Sequence, residues 1–206
     1  DFLMSLGDIF GDDHTPDLTT SADMNDLHKD YIQYLKEVCH SVPFYVCLGN
    51  HEGENGFYLQ QNNGQNIAVY GTQWRKYYYP NPYPNGFYTG NTTNEPYGIG
   101  QPENYFAWTW GDALFVTLDP YWHSKSAVDN TAGTLVPEDQ GGKAGAKKSA
   151  GGGKAKDMWS IGIGDEQYAW LKRTLESSTA KYKFIFAHHV MGTGRGGVEL
   201  SYDYEW

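Results

Sequence analysis

The sequence predicts an α/β fold, because short apolar runs alternate with amphipathic helical patterns along the chain. The runs at 2–6, 44–48, 113–118 and 184–187 are rich in Phe, Val and Leu, as buried strands usually are. A further strand is predicted over 104–110, where the sequence NYFAWTW alternates its side chains between two faces. Strands separated by helices indicate layers of helices packed on sheets.

The first helix is predicted over 23–39, between the first two strands. Its apolar side chains recur three or four residues apart, which places them on one face of a helix. This predicted buried face consists of Met24, Leu27, Tyr31, Leu35 and Val38.

A second helix is predicted from Asp165 onward, in the sequence GDEQYAWLKRTLESS. An aspartate suits the N-cap position, because its side-chain oxygen accepts a hydrogen bond from a free backbone N–H of the first turn. The predicted inward stripe consists of Tyr168, Leu171 and Leu175.

Two segments lack these patterns. Residues 70–90 are dense in Tyr, Pro and Asn, and we interpret them as a short helix that runs into a long aromatic loop. Residues 141–156 are almost entirely Gly, Ala, Lys and Ser, which predicts a flexible insertion. The lysines of this insertion either meet an anionic substrate or lie in a solvated loop, and a solvated loop is the commoner case.

Length and charge bound the function. A chain of 206 residues suits one domain with a buried core, so we predict a single domain over 1–206. The net charge of −10 argues against a general nucleic-acid-binding protein, which normally presents a basic surface to phosphates. No apolar run approaches the roughly 18 residues that span a bilayer, so no transmembrane segment is expected. The oligomeric state stays open.

The two cysteines, Cys39 and Cys47, lack the paired spacing of a structural zinc site. A cluster with His40 and His51 can be drawn from their closeness in sequence. However, Cys47 lies inside a predicted strand, where a thiol usually packs as a small apolar side chain. We therefore expect no cysteine metal site.

Polar side chains follow three of the predicted strands. Asp8 follows the first strand, Asn50 the second and His188 the last. A glycine precedes both Asp8 and Asn50, and it lets the backbone turn sharply as it leaves the strand. Because ligands gather at the carboxyl ends of strands in open α/β sheets, we expect these side chains to meet in one site. A carboxylate, an amide oxygen and an imidazole together suit Zn, Mn or Fe.

Three motifs resemble those of the calcineurin-like metallophosphoesterases, a family that includes the purple acid phosphatases. They are GD at 7–8, GNHE at 49–52 and FAHH at 186–189. The hairpin-like sequence YFAWTWGDALFVTLDPYW and the helix that begins in IGDEQ extend the resemblance over most of the chain. The resemblance implies a four-layer α/β/β/α sandwich, in which two mixed sheets are flanked by helices.

The resemblance also implies a role for each matching residue. Asp8 is expected to bridge two metal ions, with Asn50 and His188 as further ligands. His51 is expected to be the catalytic proton donor or a phosphate contact. Glu52 and His189 are expected to lie beside the ligands without binding metal. The two ions would be divalent or trivalent Fe, Zn or Mn.

These roles predict a hydrolase that cleaves phosphate esters, either a phosphatase or a phosphodiesterase. In such a reaction a dinuclear centre holds the phosphoryl oxygens and supplies a metal-bound hydroxide, while His51 protonates or stabilises the leaving group. The residues do not distinguish a monoester from a diester or a nucleotide. No Gly-x-Ser-x-Gly motif is present, which argues against a serine hydrolase.

Two motifs of the family do not occur at their usual places. Its Asp-x-His precedes GD on an earlier strand, and its Gly-His-x-His follows the histidine strand. Asp12 and His14 spell Asp-x-His, but they follow GD, so we do not assign them to the site. We expect the sequence to be a fragment of a longer enzyme, incomplete at both ends. The alternative is a domain that has lost catalysis.

Each site residue also has a simpler interpretation. Asp8 could be a turn residue, Asn50 a cap, and His188 or His189 a core histidine with satisfied hydrogen bonds. The joint order of the motifs at three strand ends favours the metal site. The competing function is a non-catalytic domain that binds carbohydrate or protein, which the abundance of Tyr and Trp and the missing motifs support.

A candidate substrate-binding wall is formed by the aromatic segment 70–90 together with Tyr121, Trp122 and His123. Simple packing of these side chains against the sheet is an equally good interpretation.

The location is inferred from the resemblance alone. Purple-acid-phosphatase-like proteins are often exported, so we expect a secreted or periplasmic protein. Asn91 begins a glycosylation sequon with Thr92 and Thr93, which matters only in a host that glycosylates.

Overall fold

The computed structural model describes residues 1–9, 18–123 and 162–188. The strands and α-helices of these ranges are, in order, β1 (Leu3–Ser5), α1 (Ser21–Cys39), β2 (Phe44–Val46), α2 (Ile67–Tyr78), β3 (Thr89–Gly90), β4 (Phe106–Trp110), β5 (Ala113–Thr117), α3 (Gly164–Ser177) and β6 (Tyr182–Phe186). Two short 3-10 helices, Gly56–Tyr58 and Gln61–Gly64, precede α2. No helix in the described part is long and apolar enough to cross a membrane.

Several predicted features lie outside the described residues. They are the insertion at 141–156, the Asp12 and His14 pair, and His189. The insertion and the single-domain organisation therefore stay predictions.

The strands form two sheets. β1 and β2 pair in parallel, with Leu3 opposite Phe44. The second sheet has the order β3-β4-β5-β6, antiparallel from β3 to β5 and parallel between β5 and β6. The parallel pairs bring the carboxyl ends of β1 and β2 together, and likewise those of β5 and β6.

Aromatic side chains join the two sheets face to face. The ring of Phe2 lies 5.3 Å from that of Trp108 and 5.1 Å from that of Phe115. On β2, the ring of Tyr45 lies 4.6 Å from that of Trp108. The core between the sheets is therefore largely aromatic, and each large ring buries much apolar area.

Helices cover the outer faces of both sheets. On the first sheet, Leu35 of α1 packs with Val46 and Leu48. On the second, Trp170 of α3 packs with Leu114 and Val116. The order of layers is helix, sheet, sheet and helix, so the predicted α/β/β/α arrangement is confirmed.

The buried face of α1 differs in part from the predicted one. Met24 and Leu35 are buried as expected, but Val38 is exposed. His28 is fully buried instead, and Cys39 packs against the core at the end of the helix. The prediction for Val38 was wrong because the pattern counted only apolar residues. The buried face includes His28 and continues to Cys39, which leaves Val38 beside it and exposed.

The start of α3 also differs. Ile163 occupies the N-cap position without a side-chain hydrogen bond, and Asp165 lies inside the first turn. Asp165 is therefore not the cap. The prediction erred because the helix begins at Gly164, whose positive φ of 77° turns the chain before the acidic residues.

The inward stripe of α3 is shifted as well. Leu171 and Leu175 pack against the core, whereas Tyr168 is exposed. Gln167 and Trp170 are buried in its place. A buried glutamine is stable here because it hydrogen-bonds to backbone groups, a possibility that an apolar pattern does not reveal.

The sequon residue Asn91 is only 1% exposed, and its Nδ2 donates a hydrogen bond to Asn104 Oδ1 at 2.8 Å. A glycan needs this nitrogen to be free and at the surface. The sequon therefore gives no support for glycosylation in the folded chain.

Cys47 is fully buried, and its Sγ donates a hydrogen bond of 3.5 Å to the carbonyl oxygen of Leu118. Burial is the main cause that raises the pKa of this thiol. Cys47 thus packs as a small apolar side chain, as the sequence predicts.

Candidate functional site

The loops that follow β1 and β2 approach each other too closely for side chains. A Cβ atom on Gly7 would lie 2.5 Å from the backbone nitrogen of Gly49, and one on Gly49 would lie 2.3 Å from Asp8 Oδ1. Gly7 also has a φ of +90°, the sharp turn that we expected, whereas Gly49 is required by the lack of space. The two glycines therefore let the strand ends meet.

Glu52 ties these two loops together. Its carboxylate is buried, accepting hydrogen bonds from the backbone N–H of Ile9 at 2.7 Å and of Gly49 at 2.5 Å. Burial raises the pKa of Glu52 to about 7, against the opposing effect of its backbone hydrogen bonds to Ile9, Gly49 and Asp8. The Glu52 side chain therefore links the loop after β1 to the loop after β2.

His188 is brought to Asp8 by the end of β6. Its Nδ1 lies 2.6 Å from the carbonyl oxygen of Leu6, and its Nε2 lies 3.1 Å from Asp8 Oδ2. A carbonyl oxygen only accepts hydrogen bonds, so Nδ1 must carry the proton. Nε2 therefore either carries a second proton or presents a lone pair to the carboxylate, and a lone pair there calls for a cation between the two atoms.

This arrangement suits a metal ion. Histidines that bind metals generally donate their other ring N–H to a carboxylate or a backbone carbonyl, as His188 does to Leu6. Two ligands about 2.1 Å from one ion lie roughly 3 Å apart, close to the separation of Nε2 and Oδ2. Asp8 and His188 fit the role of neighbouring ligands.

The remaining ligands are fewer than a complete centre needs. Within the described ranges, no set of three or more His, Cys, Asp or Glu side chains is arranged to hold a metal ion. Asn50, which that set excludes, adjoins Gly49 at the close approach, and its carbonyl oxygen accepts a hydrogen bond from Asn55 Nδ2 at 3.3 Å. The described part thus brings together the Asp8 carboxylate and the His188 imidazole, with Asn50 in the adjoining loop.

His51 lies on the same carboxylate as His188. Its backbone N–H donates to Asp8 Oδ1 at 3.1 Å, and its Nε2 lies 3.9 Å from Asp8 Oδ2. The side chains of His51 and Asp8 are both partly exposed. His51 can therefore reach a ligand that arrives from solvent without leaving the site.

The predicted substrate wall included Tyr121, Trp122 and His123. Of these three, Tyr121 is the one with a described contact to this site. The ring of Tyr121 lies 6.1 Å from that of His188. Trp122 is buried as well, and its Nε1 donates to Glu95 Oε1 at 2.8 Å, away from His188 in sequence and contact. His123 lies against Gly164 at the start of α3.

The aromatic segment that follows α2 packs against the protein in its described contacts. The ring of Tyr79 lies 5.6 Å from that of Tyr31 on α1. The hydroxyl of Tyr88 lies 2.8 Å from that of Tyr45 on β2. For Tyr79 and Tyr88, these contacts support the packing interpretation.

Asp119, a buried carboxylate that follows β5, was not predicted from the sequence to have a role. Asp119 accepts hydrogen bonds from Asn104 Nδ2 at 2.7 Å and from the backbone N–H of Tyr121 at 2.8 Å. Gln167 donates to its carbonyl oxygen at 2.6 Å. Asp119 therefore positions the loop that carries Tyr121. Its signal was an aspartate directly after a strand, the pattern seen at Asp8, but without the glycine.

A second missed feature anchors the segment after the GNHE motif. Glu54 and Arg75 of α2 form a buried pair, with Nε to Oε1 at 2.6 Å and Nη2 to Oε2 at 3.0 Å. Arg75 Nη2 also donates to the carbonyl oxygen of Pro102 at 2.6 Å. A paired guanidinium of this kind is bidentate and directional. Sequence alone could not find it, since an arginine in a helix normally faces solvent.

A family model described as calcineurin-like phosphoesterase matches residues 1–204. No curated protein and no solved structure matches the chain significantly.

Proposed function

The chain belongs to the calcineurin-like phosphoesterase family, and on this premise we propose that it hydrolyses phosphate esters with the help of two bound metal ions. Members of this family are generally phosphoester hydrolases and typically bind divalent metal ions. The two-metal arrangement and the choice among Fe, Zn and Mn are part of the proposal.

The observation that carries the proposal is the orientation of His188. Its Nδ1 proton is held by the carbonyl oxygen of Leu6, so its Nε2 is directed at Asp8 Oδ2 as a ligand would be. Asp8, Asn50 and His188 are the proposed ligands of the described part. When bound, the metal ions would polarise the phosphoryl group and make water more acidic.

The chain's own groups supply the rest of the chemistry. We assign His51 as the proton donor to the leaving group, since it lies beside Asp8 and stays partly exposed. Glu52 holds the two ligand-bearing loops together through their backbone N–H groups. The buried ring of Tyr121 lies next to His188.

The test measures metal content and hydrolysis in the same samples. After incubation with Zn²⁺, Mn²⁺ or Fe²⁺ and removal of free ions, the chain should retain metal and cleave 4-nitrophenyl phosphate or its bis ester. The preferred ester would show whether the enzyme is a monoesterase or a diesterase. His188→Ala should lower retained metal and activity together by at least about tenfold.

His40→Ala is the matched control, because His40 is exposed and lies at the end of α1 that leads into the amino end of β2, whereas the proposed ligands follow the carboxyl ends of the strands. It should leave both readouts unchanged. A wild-type chain that retains no metal under any of these conditions would contradict the proposal.

The second candidate function is a non-catalytic binding domain on the same fold. The observation in its favour is that the described residues hold no set of three or more ionisable metal ligands. The same metal measurement separates the two functions, because a binding domain of this kind should retain no metal.

We also propose a secreted or periplasmic location, from the resemblance to exported relatives alone. Cell fractionation of the native host would test it, and retention in the cytoplasm would contradict it.

A further inference from the structure

A buried glutamine of α3 holds residues 119–122, which we call the β5 turn because they follow that strand. Gln167 is fully buried, and its Oε1 accepts a hydrogen bond from the backbone N–H of Asp119 at 2.9 Å. Its Nε2 donates to the carbonyl oxygen of Asp119 at 2.6 Å and to that of Ile163, just before α3, at 3.1 Å. Both ends of one side-chain amide therefore bind the backbone of one residue, as a neighbouring strand would.

A second buried amide fixes the side chain of Asp119. Asn104 Nδ2 donates to Asp119 Oδ2 at 2.7 Å, and Asn104 Oδ1 accepts from Asn91 Nδ2 at 2.8 Å. Asp119 Oδ1 in turn accepts from the backbone N–H of Tyr121 at 2.8 Å. The backbone and the side chain of Asp119 are thus held by different parts of the fold, which leaves the β5 turn little freedom to move.

The β5 turn contacts both sides of the candidate metal site through Tyr121. The ring of Tyr121 lies 6.1 Å from that of His188. Its carbonyl oxygen accepts a hydrogen bond of 3.3 Å from the backbone N–H of Gly56, in the segment that follows the GNHE motif. The chain is crowded there, since a Cβ on Gly56 would lie 1.7 Å from the carbonyl oxygen of Trp122. A shift of the β5 turn would therefore disturb both neighbours.

Such a shift would reach a proposed metal ligand. The hydrogen bond from His188 Nδ1 to Leu6 fixes one end of the imidazole, and the ring of Tyr121 beside it limits how far the other end can swing. Nε2 has to stay directed at Asp8 Oδ2, 3.1 Å away, if the two atoms are to share an ion. Groups that orient a metal ligand without touching the metal change its affinity by roughly 10–100-fold when they are mutated.

We propose that Gln167 is a positioning residue for the metal site, and that it acts on His188 through the β5 turn and Tyr121. This inference rests on the proposed function, because it assigns Gln167 an effect on metal affinity. The described hydrogen bonds of Gln167 go to Asp119 and Ile163, so its effect on the metal is indirect.

The test measures the affinity for Zn²⁺ and Mn²⁺ by calorimetric titration, on chains that urea denaturation shows to be folded. Gln167→Met keeps the side-chain volume but removes the hydrogen bonds to Asp119 and Ile163, and it should raise the metal Kd at least about tenfold. Leu175→Ala is the matched control, because Leu175 packs against the core on the same helix through an apolar side chain. It should lower stability and leave the metal Kd unchanged.

A milder variant covers the case in which Gln167→Met does not fold. Gln167→Asn keeps an amide but is shorter by one methylene, so it cannot reach both Asp119 and Ile163. It should raise the metal Kd by a smaller factor, about threefold or more.

A second readout needs no metal and separates a failure of this proposal from a failure of the proposed function. In the metal-free chain, a nuclear Overhauser effect should connect the ring protons of Tyr121 and His188. The signal should persist in Leu175→Ala and weaken in both Gln167 variants. If the wild type binds neither ion, the proposed function fails, and this signal alone decides the role of Gln167.

Three outcomes would overturn the proposal. The first is a metal Kd in the Gln167 variants equal to that of the wild type. The second is an equal loss of metal affinity in Leu175→Ala, which would make the effect one of general destabilisation. The third is an unchanged signal between Tyr121 and His188 in the Gln167 variants, because Tyr121 would then keep its place without the glutamine.

Discussion

The carboxylate of Asp119 is buried without an arginine or lysine partner in the described contacts, and hydrogen bonds from Asn104 and Tyr121 take that role. Burial raises its pKa from the ordinary 3.8 to about 6, and those hydrogen bonds and the charge of His123 oppose the rise. Between these two pH values, the folded chain holds a proton that the unfolded chain has lost. The stability that this group contributes is therefore complete below about pH 4 and is lost as the pH rises through 6.

Asp119→Asn removes this titration and gives the first prediction. From pH 4 to pH 7, the free energy of unfolding of the wild type should fall relative to the variant by roughly 2–3 kcal/mol. Urea denaturation of both proteins at each pH measures the difference. Asp165→Asn, at an exposed site on α3, should show no comparable trend. If the free energy of unfolding of the wild type minus that of the variant stays constant or increases with pH, Asp119 is not protonated in the fold.

Asn50 and His51 are adjacent, yet we assign them different roles, which leads to the second prediction. Asn50→Ala should lower metal content and activity together, because it removes a proposed ligand. His51→Ala should leave metal content near that of the wild type, while turnover falls by about 10²–10⁴, the usual range for a general acid or base. Metal analysis and steady-state kinetics on the same samples separate the two effects.

The leaving group provides the control for His51. An aryl phosphate leaves as a weak base and needs little protonation, so the His51→Ala defect should be smaller for aryl than for alkyl substrates. Equal defects for both, or loss of metal from the variant, would make His51 a ligand or a phosphate contact instead.

At the scale of elements, the N-terminus of α1 shows how a helix start is set. Thr20 Oγ1 accepts a hydrogen bond from the backbone N–H of Asp23 at 3.3 Å, and Asp23 Oδ2 accepts one from the backbone N–H of Thr20 at 2.9 Å. This reciprocal capping box begins the helix at Ser21, two residues before the predicted start. The T-x-x-D spacing of this cap is present in the sequence. The predicted start was two residues late because it was based on the apolar spacing alone.

The third prediction tests this cap. Thr20→Ala should lower the free energy of unfolding by about 1 kcal/mol, because the backbone N–H of Asp23 loses its acceptor, Thr20 Oγ1, and the hydrogen bond from that hydroxyl to Asp23 Oδ2 is lost as well. Asp30→Asn, at an exposed position in the middle of α1, is the control and should change stability by less than about 0.5 kcal/mol. Chemical denaturation measures both. Equal effects in the two variants would mean that the cap contributes nothing specific.

At the scale of the whole molecule, strand β6 carries large apolar side chains that are partly exposed in the described part of the chain. Phe184 continues the row of rings formed by Trp108 and Phe115, at 5.4 Å from Phe115, yet it is 47% exposed. Ile185, on the opposite face, is 48% exposed. In the described part of the chain β6 is also the edge of its sheet. An exposed apolar edge strand favours association between copies.

The fourth prediction follows from this edge. Residues 1–206 in solution should self-associate, and light scattering across a dilution series should show a mass that rises with concentration. Phe184→Lys should reduce the association, because a charge on an edge strand opposes pairing. Tyr34→Lys, at an exposed position on α1, should leave it unchanged. A monodisperse monomer with cooperative unfolding would contradict this prediction.

Much of this architecture could be predicted because it follows from local patterns. The apolar runs and the helical spacing of Met24, Tyr31 and Leu35 reflect burial on one face, which is a property of neighbouring residues. The glycines before Asp8 and Asn50 likewise predicted a sharp turn after each strand, which Gly7 makes with a φ of +90°, whereas Gly49 is required because a side chain there would collide with Asp8. The α/β class, the strand positions and the closeness of Asp8 and His188 were therefore all within reach of the sequence.

Only the tertiary structure decided which polar groups are buried and what they hold. His28 and Gln167 are as polar in sequence as any surface residue, and their burial depends on partners far along the chain, such as Tyr79 and Asp119. The proton on His188 Nδ1 depends on Leu6, which lies at the end of another strand. A pattern of neighbours reports the face that an element buries, whereas hydrogen-bond partners are set by which elements meet. For this protein, the sequence by itself determined the layers and the motifs, and the meeting of β1, β2 and β6 determined the site.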